Sequence, residues 1–244
     1  MFVLKVVNSA TSSNSSKTHQ TSRPLFRTNQ SYLLNLLRTC KSYLEQIRNS
    51  NEQKTLGGNA TKSYGQSTDS SGGNASVNGN LPFYKQTGDP DISDAKNANC
   101  GPTALLMAAE ALGVKTGNGN VDTKIEQMRQ VMGANPNEGS VTFLDQLANG
   151  ARNLGLNAET ADNASVGDIA NEIRKGNKTI VHVNPKGYGG PDIMHFIVVK
   201  SIQGDPNDPN SKVTIHDPLR DEPITITVGE LQQSMTGNVV SISK

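Results

Sequence analysis

The chain has no tryptophan, and aromatic residues make up only 4% of its 244 residues. Its hydrophobic share is 34%, below the globular average, so part of it lacks the side chains that a packed core requires. The two cysteines, Cys40 and Cys100, stand in unrelated contexts. They are too few for a disulfide scaffold and are read as free thiols. They are not paired at ligand spacing and the histidines are scattered, so neither a metal nor another cofactor is expected. No run approaches the roughly 18 apolar residues of a membrane span, which excludes stable membrane insertion. The apolar stretch Met1 to Val7 is interrupted by Lys5 and followed by no small-residue cleavage site, so no secretory signal peptide is expected.

Acidic residues are nearly missing from residues 1–50, where Lys5, Lys17, Arg23, Arg27, Arg38, Lys41 and Arg48 face Glu45 alone. The whole chain carries +1, so the remainder is net acidic and no nucleic-acid partner is indicated. A basic, Ser-rich, acid-poor segment fits either a targeting element or a solvated tail.

Four regions follow from these shifts. Residues 1–30 read as a disordered basic segment rich in Ser and Asn. Residues 31–49 read as one amphipathic helix, because Leu33, Leu37, Cys40, Leu44 and Ile47 recur in steps of four and three and share a stripe. That stripe needs a surface, either the folded region that follows or a partner such as a chaperone or a second copy. Residues 50–80 offer little beyond Leu56, Tyr64 and Val77 to bury and read as a flexible linker. The folded unit is expected over 81–244.

Within it, helices are expected at Pro102–Leu112, from Val121 to Met132, from Phe143 to Leu154, and around Ile169 and Ile173. The first is apolar on most faces and therefore buried. Strands rich in β-branched residues are expected at Thr179–Val183, His195–Ile202, Lys212–His216, Pro223–Val228 and Val239–Ile242. Helices followed by antiparallel strands make an α+β fold, a central helix packed on a twisted sheet.

Three residues could carry chemistry. Cys100, in Asn99-Cys100-Gly101-Pro102-Thr103, stands at the amino terminus of the buried helix, where unpaired N–H groups and the helix dipole favour a thiolate. A small structural cysteine fits the same position. His195 opens a strand after the Gly187–Gly190 loop and could take a proton from a neighbouring thiol, or be an ordinary strand-end histidine. Asp217 ends the strand VTIHDP and could hold the imidazole in its useful tautomer, or simply start an Asp-Pro turn. His19 lies in low-complexity sequence, His182 within an apolar strand and His216 beside Asp217. The order Cys, His, Asp strengthens the three signals together.

Cys100-Gly101-Pro102-Thr103 opening a helix that ends at Leu112-Gly113, the HFIVV strand after a glycine-bearing loop, and the downstream IHDP resemble the bacteriocin-processing, or double-glycine leader, peptidases and their free-standing papain-like relatives. The resemblance covers Leu81 onward. It implies a papain-like cysteine peptidase fold, a protein or peptide substrate, and a glutamine upstream of the cysteine that donates to the oxyanion; Gln86 stands at that position. The gap from Gln86 to Cys100 is longer than in transporter-linked members, and no transmembrane or nucleotide-binding portion accompanies the peptidase. The expectation is a stand-alone, soluble thiol hydrolase, exported from a bacterium as an effector without a classical signal, or else cytoplasmic. A deamidase, transglutaminase or amidase with the same triad, or a non-catalytic binding module on the same fold, are the alternatives.

Overall fold

The computed structural model describes residues 73–76, 80–86, 98–133 and 142–244. The segments 1–30 and 31–49, Cys40 and most of 50–80 lie outside the described residues. The described elements run β1 (Ala75–Ser76), α1 (Cys100–Ala111), α2 (Val121–Val131), α3 (Leu144–Asn153), β2 (Asn157–Ala161), α4 (Val166–Arg174), β3 (Lys178–Val183), a 3₁₀ turn (Pro185–Tyr188), β4 (His195–Gln203), β5 (Lys212–His216), β6 (Ile224–Thr227), α5 (Val228–Ser234) and β7 (Met235–Ser243). No described helix is long and apolar enough to cross a membrane.

After its opening Cys-Gly-Pro-Thr, α1 runs ALLMAAEA, a stretch of strong helix formers, and every residue from Cys100 to Ala109 is buried. The helix packs against β3 and β4 and is flanked by α2 and α3. Gly113, at φ +81°, allows the chain to turn away after it.

The sheet has the order β2-β7-β3-β4-β5-β6, with every neighbouring pair antiparallel. In β4, His195 through Val199 are all buried, and in β3 so are Ile180 and Val181. Successive strand residues point to opposite faces, so both faces of these central strands are covered; α1 and α4 are the helices packed against them.

Three elements differ from the sequence pattern. β1 pairs Ala75 and Ser76 with Ile202 and Ser201 of β4, so two residues of the stretch read as a 50–80 linker belong to the sheet, ahead of the expected boundary at Leu81. β2 has the sequence NAETA, weak in strand formers, and is held as an edge strand by pairing with β7. The strand expected to run through Val228 stops at Thr227, where the Thr227 hydroxyl accepts from the Glu230 N–H and the Glu230 carboxylate accepts from the Thr227 N–H. This reciprocal capping box starts α5.

The antiparallel register sets the site. His195, the first residue of β4, pairs with Val183, and His216, the last of β5, pairs with Val198. The start of β4 and the end of β5 therefore lie at the same end of the sheet, with Asp217 one residue beyond. Residues 81–86 run along that end: Pro82 O accepts from His216 Nδ1 at 2.9 Å, and Gln86 N–H donates to Pro218 O at 2.8 Å.

Candidate active site

Cys100 is the first residue of α1 and is buried, with 8% of its surface exposed. The turn before it is anchored at Asn99, whose carbonyl accepts both the Thr103 N–H, at 3.0 Å, and the Thr103 hydroxyl, at 2.7 Å. Gly101 lies so close to Thr142 that a Cβ there would sit 2.5 Å from its side chain. Thr142 thus forms a wall beside Gly101 and the adjacent Cys100.

Across from Cys100, His195 projects from the first position of β4. Its Nε2 lies 2.7 Å from Asp217 Oδ1, and Cys100 lies near enough to raise the basicity of the ring. With Nε2 engaged by the carboxylate, Nδ1 is the ring nitrogen left for the thiol. The carboxylate has further donors: Leu219 N–H to Oδ1 at 2.9 Å and the Tyr188 hydroxyl to Oδ2 at 3.1 Å, with Arg220 Nε 3.6 Å from Oδ2.

Burial and pairing act against each other on both groups. Burial opposes the charged imidazole, yet the hydrogen bonds to Asp217 and Cys100, with their charges, raise His195 from its ordinary 6.5 to about 9. Burial likewise opposes ionisation of Asp217, but His195, the Leu219 N–H and the Tyr188 hydroxyl hold its carboxyl below the ordinary range. Burial first, then the Asp217 charge and hydrogen bond, push Tyr188 well above the usual phenol value, so it stays a neutral donor.

The structure brings Cys100, His195 and Asp217 together. Gln86 is buried and tied by its backbone to Pro218, next to Asp217. The other described histidines are engaged elsewhere. His182 packs on Phe196 at 4.8 Å between ring centroids and meets Thr236 through Nδ1. His216 is clamped between Pro82 O and the edge of Phe83, and burial lowers its basicity. Sequence reasoning did not find Tyr188, Leu219 or Arg220 as partners of Asp217. The tyrosine of the GYGG loop was the one available signal, and it gave no direction.

Several solved structures share features of this chain. It is similar to the peptidase domain of Streptococcus ComA, a bi-functional ABC transporter involved in quorum sensing, at 19% identity over 67% of this chain and 98% of that one, with a TM-score of 0.46. It is similar to a double-glycine motif protease from an AMS/PCAT transporter, solved with the leader peptide, at 18% identity over 70% and 99% of the two chains and a TM-score of 0.44. A protein from Bacillus anthracis described as a C39-like peptidase is 16% identical over 70% and 98%, with a TM-score of 0.49. No curated protein matches the chain. The profile of the Peptidase_C39 like family, however, matches residues 79–233, well over half the sequence; with its buried helix laid on an antiparallel sheet, the chain belongs to that family of papain-like fold.

Proposed function

We propose that this chain is a cysteine peptidase that hydrolyses peptide bonds through Cys100, His195 and Asp217. The observation that carries the reading is His195 paired with Asp217, at 2.7 Å, with Cys100 near enough to raise the basicity of the same ring. A nucleophile, a base within its reach and a third group orienting that base are what acyl transfer to a thiol requires.

His195 takes the Cys100 proton through Nδ1, and the thiolate attacks the peptide carbonyl. The negative charge passing to the carbonyl oxygen is met by the Cys100 N–H and the Gln86 side-chain amide. The tetrahedral species collapses as His195 gives its proton to the leaving amine. Water, deprotonated by the same imidazole, then attacks the thioester and frees the acid and the thiol. Asp217 stays ionised throughout and stabilises the imidazolium, whose proton its Nε2 bond helps to orient. The raised basicity of His195 fits an imidazolium beside a thiolate at neutral pH, the Cys100 proton having already passed to the ring. Protein or peptide is the substrate class the family suggests.

The test is intact-mass labelling with iodoacetamide at mildly acidic pH, followed by mass spectrometry of a peptide library. Fast single labelling lost in Cys100→Ala and slowed in His195→Ala, with new peptide fragments, is the expected result. Products heavier by about one dalton, or cross-linked, would reassign the same triad to deamidation or transfer. Labelling at the rate of a free thiol would remove the catalytic reading.

Delivery out of a bacterial cell, as an effector, is supported only by the basic, acid-poor composition of residues 1–50. Undiminished export of a chain lacking those residues would sink it.

A further inference from the structure

Arg129, on α2, is fully buried, a rare state for arginine unless its donors are matched. Its guanidinium donates to Ala98 O at 3.0 Å and to Asn99 Oδ1 through Nε at 3.1 Å, and a second nitrogen reaches the same Asn99 oxygen. Both acceptors belong to the two residues immediately before Cys100. Asn99 is a residue that ordinarily caps a helix through its side chain, but here it makes no such bond, and its oxygen is committed to Arg129. The planar fork of arginine suits this two-nitrogen grip in a way lysine cannot copy.

We propose that Arg129 is a positioning residue for the thiol chemistry: it fixes the Ala98–Asn99 turn that presents Cys100 and keeps a positive charge behind the nucleophile, favouring thiolate over thiol. The inference rests on the peptidase reading of Cys100. Burial lowers the basicity of Arg129, while the charges of Glu126 and Cys100 act in the opposite direction, so cation and thiol sense each other. Among the described residues, the charged groups that bear on Cys100 are His195 from β4, with Asp217 behind it, and Arg129 from α2, with Glu126 one turn earlier on the same helix.

The test is the pH profile of iodoacetamide labelling, read on the Cys100 peptide of the full chain so that Cys40 does not interfere. Arg129→Met should move the profile upward by about one pH unit, roughly a tenfold slower reaction on its acid side. Arg129→Lys, which keeps the charge, should move it less. Glu126→Gln removes a negative charge next to Arg129 and should move it downward. Opposite shifts in the two directions mark a field effect, since mere loosening of the turn gives no reason for Glu126→Gln to assist the thiolate. Folding is followed by circular dichroism; if Arg129→Met does not fold, the shift in Glu126→Gln decides. Profiles of the folded variants that coincide with an activated wild type overturn the role of Arg129 and leave the peptidase reading standing. A wild-type Cys100 that labels as an ordinary thiol overturns both.

Discussion

His195 Nε2 and Asp217 Oδ1 are joined at 2.7 Å, with each side chain only 1% exposed. Removing the charge from one partner leaves the other uncompensated in a place water does not reach. Asp217→Asn keeps the shape but loses the negative charge beside the imidazolium, and its amide can impose the wrong tautomer. The hydrolytic rate should fall by at least about a hundredfold, with little change in substrate affinity. A kcat within a few-fold of wild type would show that Asp217 only shapes the turn.

The same pair sets a pH dependence of folding. His195 is raised from 6.5 to about 9, so its protonated form stabilises the fold fully below about pH 6.5 and progressively less as pH rises through about 9. Asp217 is shifted the other way, below its ordinary 3.8; its contribution is full above about pH 4 and is lost as pH falls through the depressed value. Thermal melts of wild type and His195→Gln between pH 6.5 and 9.5 should therefore converge as pH rises, because only the wild type loses this term. Parallel curves would mean that His195 is not charged in the folded chain.

Tyr188 donates to the Asp217 oxygen that His195 does not use, at 3.1 Å, and Arg220 lies over its ring with the guanidinium carbon 5.9 Å from the centroid. Tyr188→Phe removes one donor to a buried carboxylate, an interaction of about 1.5–3 kcal/mol. The remaining donors, Leu219 N–H and His195, keep the site assembled. A drop of about three- to thirtyfold in kcat/KM is expected, together with a rise in the acid limb of the pH profile, because a carboxylate with fewer donors protonates more easily. An unchanged acid limb would indicate that Tyr188 only packs.

Much of this arrangement was legible in the sequence because it depends on strand ends. The register of an antiparallel sheet brings the start of β4 and the end of β5 together, so the positions of His195 and Asp217 followed once HFIVV and VTIH were read as neighbouring strands. The buried character of α1 followed from a run with no polar face. Short elements were harder. NAETA carries no β-branched pattern and is a strand only because β7 offers it an edge, and α5 begins at a capping box that the preceding β-branched run obscured. The supporting residues were hidden for another reason: Tyr188 and Arg129 reach partners 29 and about 30 positions away in the chain, and no periodicity records the direction of a side chain at such range.

The wall beside Cys100 gives the sharpest test of position. A Cβ added at Gly101 would meet Thr142 Cγ2 and Oγ1 at 2.5 Å and its Cβ at 2.6 Å, closer than carbon atoms approach without displacement. Thr142 is β-branched and stiff at χ1, so a simple swing of the side chain will not relieve the clash, and the start of α1 must shift instead. Cys100 is the adjacent residue and moves with it. Overpacking of this kind costs about 1–3 kcal/mol of stability, while a displacement of about 1 Å at a reacting atom costs about a hundredfold in rate. Gly101→Ala should therefore lose much more activity than stability. Adding Thr142→Gly, which removes every contacting side-chain atom, should restore most of both. Full activity in Gly101→Ala alone would mean that the wall yields and that the spacing between Cys100 and His195 tolerates the shift.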